Sequence, residues 1–215
     1  MKIDVDYTLE QLTGRFQSVK DGLPELLKNA TDHYERLGKD SPKLLLPESQ
    51  QIVVAIASAS KSLLVLDFGG ASSSHFEKWK EWSSRTASSA ADSLKIQGGH
   101  GNGGKAFMVR GSNEHSFLES VVNGKRTRIG FDSASEQKRF HPGDVLEGST
   151  PIVDLAISNP SHQLDQILAG FKLSVSNLPA SCAAVFNERQ SYTAVVLQGV
   201  RDWSRARASS FPKIT

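Results

Sequence analysis

Over residues 23–37 the chain places Leu23, Leu26, Leu27, Ala30, Tyr34 and Leu37 three and four positions apart, so one side of a helical period is apolar. That stripe predicts an amphipathic helix with Pro24 in its first turn and Gly38 where it stops. A weaker stripe of Leu9, Leu12 and Phe16 precedes it over 8–19. The period then shortens. "QIVVAIA" (51–57) and "SLLVLDF" (62–68) are short and rich in β-branched residues and leucine, which predicts two strands joined by a tight turn. A serine-rich segment over 72–93, holding Trp79 and Trp82, reads either as a surface element or as a helix pair. "KAFMV" opens a helix directly after a run of glycines. In "FLESVVNGKRTRIGF" the Asn123-Gly124 pair accepts the left-handed conformations of a two-residue loop, which predicts a hairpin. Strands are expected over 151–157, near 183–187 and over 191–199, and a helix over 161–173. No repeat and no linker divides these elements, so the expectation is one domain, a mixed sheet backed by helices.

Composition excludes more than it selects. The chain has 215 residues, 38% of them hydrophobic, and a formal net charge of +2, an ordinary globular balance that gives no reason to expect nucleic acid as the default partner. No run approaches the ~18 apolar residues of a membrane span, and "MKIDVDY" lacks the apolar core of a signal peptide. A single cysteine, Cys182, excludes an intrachain disulfide framework and an all-cysteine metal site, and argues for a reducing, cytoplasmic setting.

Three stretches carry candidate chemistry. In "ELLKNATD", Glu25, Asn29 and Asp32 stand at i, i+4 and i+7, on one helix face beside the apolar stripe. A carboxylate and a carboxamide so placed suit a hydrated Mg2+ ion and a water, though taken alone the pattern is more often an ordinary solvated face. In "LLVLDFGGA" an apolar strand delivers Asp67 at its end and Gly69-Gly70 follows at once. A carboxylate there can accept from a ligand amino group; the same pattern also makes a common turn. In "GGHGNGGKAFM" successive glycines expose N–H groups ahead of a helix start, which favours an anion. Gly99 to Ala106 is one residue short of the P-loop pattern, but "AADSLKIQ" is a poor buried strand and Ala106 stands where a hydroxyl is needed, so the P-loop reading fails.

In this order and spacing the three stretches resemble the motifs of the Bergerat-fold (GHKL) ATPases, the superfamily of gyrase B, the large heat-shock chaperone, histidine kinases and MutL. The first box, E-x-x-x-N-x-x-D, is matched by Glu25, Asn29 and Asp32; the second, D-x-G-x-G, by Asp67 and Gly69. The glycine-rich lid is matched by Gly99, His100, Gly101 and Gly103, and a late strand with threonine by "YTAVVL", with Thr193. The resemblance spans roughly residues 23–199. It implies an α+β, two-layer sandwich with a mixed, mostly antiparallel sheet, the histidine kinase-like ATPase fold. It implies ATP and Mg2+ as ligands, Glu25 as the general base, and Asn29 as the residue that holds the metal. Asp32 belongs to the same nucleotide-binding box. Asp67 would accept from the adenine amino group, with Gly69 giving the ring room and Thr193 in support. The lid, Gly99, His100, Gly101, Asn102, Gly103, Gly104 and Lys105, would wrap the phosphates.

Three positions depart from the family pattern: Ala71 replaces the last glycine of the second box, His33 stands where alanine is usual, and Phe68 where asparagine is common. In many relatives of this kind a lysine or arginine from a following domain completes the site, so the expected partners are a downstream domain or partner protein and an ATP-dependent second copy. The alternatives are a nucleotide-gated interaction module without significant hydrolysis, and a protein kinase of the histidine kinase-like type. Outside these motifs the histidines show no metal-ligand spacing, and the tail with Arg201, Arg205 and Arg207 reads first as a solvated terminus.

Overall fold

Ser18, in extended conformation, starts the first helix: its hydroxyl accepts from the N–H of Asp21. In this computed structural model the described residues are 18–39, 42–79, 103–131 and 152–201. The expectations for 8–17, for 80–93, for Gly99, His100, Gly101 and Asn102, and for the arginine-rich tail beyond Arg201 lie outside them.

Helix α1 (Val19–Leu37) therefore begins four residues ahead of the predicted stripe, and Pro24 lies inside it on the exposed side, where its missing N–H removes one helical bond. Gly38 ends it, its N–H donating to the Tyr34 carbonyl. There follow β1 (Ile52–Ala57), β2 (Ser62–Asp67), α2 (Ser73–Trp79), α3 (Gly103–Arg110), β3 (Ser116–Val122), β4 (Lys125–Phe131), β5 (Ile152–Ala156), α4 (Pro160–Ala169), α5 (Ala180–Arg189) and β6 (Tyr192–Leu197). The strands form one sheet in the order β1-β2-β6-β3-β4-β5, and every pairing is antiparallel. The fold is α+β, as the sequence led one to expect.

Two elements differ from expectation. The segment 183–187 is not a strand but the middle of α5, because its buried apolar residues are Cys182 and Phe186, four apart, a helical and not an alternating period. Helix α4 stops at Ala169 instead of running to 173; Asn159 caps its start by accepting from the His162 N–H, and Pro160 takes the first position. The hairpin is as expected, with Asn123 and Gly124 both at positive φ (51° and 69°).

Helices cover both sheet faces. On one side α1 and α3 pack Leu23, Leu26, Phe107 and Met108 against Leu63, Val65 and Leu197. On the other, α4 and α5 pack Leu164, Leu168 and Phe186 against Leu64, Leu66, Val121 and Ala194. Strand β2, buried at every residue, is the spine between them. A strand covered on both sides needs a continuous apolar run, and "LLVL" supplies it.

The α1–α3 contact is close because Gly22 has no side chain: a Cβ there would lie 1.9 Å from Cγ of Phe107. Gly22→Ala is expected to cost about 1–3 kcal/mol by overpacking. Chemical denaturation should show it as a lower midpoint at unchanged slope, with Gly22→Ala/Phe107→Leu losing less than the sum of the two single changes.

Candidate functional site

Strand β2 alternates, so Leu63, Val65 and Asp67 share the face covered by α1 and α3. Asp67 is paired in register with Thr193 of β6, and Thr193 with Ser120 of β3. Three polar side chains thus stand in a row across three neighbouring strands, and Thr127 of β4, in register with Ser120, continues it. Ser120 ties the row together: its hydroxyl donates to the Tyr192 carbonyl (2.8 Å), lies 3.3 Å from Thr193 Oγ1, and accepts from the Ala71 N–H (2.6 Å).

The turn that follows Asp67 is held from several elements at once. The Tyr34 hydroxyl of α1 accepts from the Phe68 N–H (2.8 Å) and donates to the Gln51 carbonyl (2.7 Å). Burial first, and then the negative charge of Asp67, push the Tyr34 phenol above its ordinary pKa, so it remains a neutral donor. Arg189 of α5 donates through Nε to the Phe68 carbonyl and through Nη2 to the Gly69 carbonyl, both at 3.0 Å. Gly70 takes a φ of +74°, a conformation that a side chain would strain.

The Asp67 carboxylate sits at the base of this arrangement with 6% of its side chain exposed. Its Oδ1 accepts twice, from the Gly69 N–H (2.9 Å) and from His33 Nδ1 (3.1 Å). Among the described residues none donates to Oδ2. A Cβ on Gly69 would come within 2.8 Å of Leu37 Cδ1 and 3.0 Å of His33 Nδ1, so the bare glycine makes room for α1.

The other end of the site lies two turns earlier on α1, where Glu25 and Asn29 face the start of α3. A Cβ on Gly103 would meet Glu25 Oε2 at 2.6 Å, and one on Gly104 would meet Asn29 Nδ2 at 2.6 Å. The glycines let two polar side chains lie flat against a helix start, whose positive dipole end attracts anions. Glu25 also pairs with Lys28 (Oε1 to Nζ 3.8 Å), and its side chain is 31% exposed. Asn29 is exposed, whereas Asp32 and Lys105 are each only 3% exposed. Ala106 is a buried residue in the first turn of α3.

The structure thus gathers Asp67, Gly69 and Thr193 at one end and Glu25, Asn29, Gly103 and Gly104 at the other, all on one face of the sheet. Lys105 lies in the first turn of α3 and is buried. Four participants have no assigned role in the sequence reading, one of them Arg189, which reaches the turn from α5. His33 stands four residues after Asn29, a helical spacing that was visible. Tyr34 falls on the apolar stripe of α1, which hides the role of its hydroxyl. Ser120 depends on the register between distant strands, which leaves no local signal.

Replacing Tyr34 by phenylalanine strands the Phe68 N–H and the Gln51 carbonyl. The expected cost is about 1–3 kcal/mol of stability, measured by thermal or chemical melting, with faster exchange of the Phe68 amide as the local signature.

No family model matches the chain, and no curated protein matches it. Among solved structures it is similar to the B subunit of the DNA gyrase from Myxococcus xanthus, with a TM-score of 0.36 and 12% identity over 95% of this chain. The chain spans 42% of the length of that subunit's chain.

Proposed function

We propose that the chain is a nucleotide-binding domain that takes up Mg-ATP and hydrolyses it, with Glu25 as the general base. The observation that carries this reading is the way α1 serves both ends of one site: its residue His33 meets Asp67 and the turn after β2, while Glu25 and Asn29 meet the N-terminus of α3. The adenine amino group would donate to Asp67 Oδ2, with Thr193 beside it. The phosphates would lie toward Gly103, Gly104 and the lid residues Gly99, His100, Gly101, Asn102 and Lys105. There the N–H groups at the start of α3 favour negative charge. Asp32 belongs to this proposed nucleotide site as the third member of the α1 box.

A metal fits the donor set in a particular way. Among the described residues no three histidine, cysteine, aspartate or glutamate side chains converge. The exposed Asn29 carboxamide offers one hard oxygen, which suits Mg2+ that brings phosphate oxygens and waters as its remaining ligands. When bound, the ion would neutralise phosphate charge. Glu25, partly exposed beside the α3 N-terminus, would orient a water and take its proton. Among the described residues no helix is long and apolar enough to cross a membrane. A following domain, a partner protein or ATP-dependent pairing of two copies would complete the site.

Calorimetry with Mg-ATP and a non-hydrolysable analogue, followed by a phosphate-release assay, tests the reading. Both nucleotides should bind; Glu25→Ala should retain binding and lower release by about 100-fold or more. Asp67→Asn replaces one acceptor oxygen with a donor and should weaken ATP by about tenfold or more. Failure of the wild type to bind either nucleotide would overturn the assignment. Binding without release, or phosphate transfer to a partner protein, would favour the gated module or the kinase in turn.

A further inference from the structure

His33 is 8% exposed and pairs with a carboxylate that accepts only. The bond at 3.1 Å therefore requires the hydrogen on Nδ1. Nε2 is also buried, and it has no hydrogen-bond partner among the described residues. A buried ring nitrogen left without a partner is unfavourable, and a role confined to packing would be served by an apolar side chain of similar size. His75 of α2 lies close to the ring in a T-shaped arrangement, with centroids 6.2 Å apart.

The consequence falls on Asp67. Its Oδ1 already takes two donors, from Gly69 and His33, which fills both in-plane lone pairs of that oxygen. Oδ2 alone is left. Resting on the proposal that Asp67 meets the base of a nucleotide, we propose that His33 is a positioning residue that sets base selectivity: by holding Oδ1 it makes the carboxylate a single acceptor, matched to the one exocyclic amino group of adenine and mismatched to guanine. The guanine edge presents N1–H and N2–H side by side and pairs with a carboxylate through both oxygens, so in this site one of its donors would be buried without a partner. Selectivity then comes from occupying an acceptor in advance, not from a clash.

The test compares Mg-ATP and Mg-GTP affinities by calorimetry in the wild type, His33→Ala and His33→Asn, with folding checked by circular dichroism. The wild type should prefer ATP by at least about tenfold, the value of one unmatched hydrogen bond. His33→Ala frees a lone pair on Oδ1 and should narrow that preference by about tenfold. His33→Asn carries a donor at the reach of Nδ1 and should restore it. Nitrogen NMR of the wild-type histidines offers a second measurement that needs no variant, with His33 expected to carry its hydrogen on Nδ1. Equal wild-type affinity for the two nucleotides, an unchanged ratio in a folded His33→Ala, or a bare Nδ1 would overturn the role of His33 while leaving the ATP site standing. A wild type that binds neither nucleotide would remove both.

Discussion

Helix α1 lies against α3 with glycines admitting side chains from the facing helix at three places, and the remainder of the site follows from that approach. Gly22 accepts the Phe107 ring, Gly103 accepts Glu25, and Gly104 accepts Asn29. Gly22, Glu25, Asn29 and His33 form one stripe, advancing three or four residues at a time. From Glu25 to His33 the helix advances eight residues, about 12 Å at 1.5 Å per residue. A single rigid rod therefore fixes the separation between the group beside the α3 N-terminus and the group that pairs with Asp67. Shifting α1 by one turn would lose both ends together.

The opposite face of the sheet secures the other partner of Asp67. Glu119 of β3 is fully buried, yet it is bonded by Arg126 (2.7 Å), by the Tyr192 hydroxyl (2.7 Å) and by Gln163 of α4 (3.3 Å). Burial, and then the Glu119 charge, raise the Tyr192 phenol above its ordinary pKa, so it stays a donor. Arg128 completes the cluster with its guanidinium over the Phe117 ring at 3.7 Å. Tyr192 is thus held from both sides, its hydroxyl by Glu119 and its carbonyl by Ser120. Thr193, the next residue, must then point to the Asp67 face. A slip of one residue would exchange the two faces of β6, placing Tyr192 beside Asp67 and leaving a buried carboxylate short of a donor.

What could be read in advance was whatever a period or a short turn dictates. The α1 stripe, the β2 run ending in Asp67, the Asn123-Gly124 hairpin and the α3 start are local patterns, and the structure has all of them. Over α5 the sequence suggests a strand because "AAVF" is apolar and short, while the helical period becomes visible only with Cys182 included. His33 shows in the sequence as a departure from the family pattern, and its spacing from Asn29 places it on the site face, but no local pattern assigns it a role. Its partner, Asp67, lies on another element. Ser120 and Arg189 reach the turn only through the closure of the sheet and the packing of α5, contacts between residues far apart in the chain.

The two ends of the site are built to different stiffness. The turn after β2 is bonded from α1, β3 and α5, so a ligand there meets groups already in place and little ordering is needed on binding. At the α3 end, Glu25 is partly exposed and paired only loosely with Lys28, and Asn29 is exposed. Under the proposed function this division places affinity at the rigid end, where a fixed acceptor selects the base. Rate would belong to the looser end, where Glu25 pairs with Lys28 through Oε1 alone, at 3.8 Å, and would orient a water. Under the same proposal the glycines that admit Glu25 to the start of α3 would serve the chemistry in a second way, since the proposed base would stand beside the position proposed for phosphate.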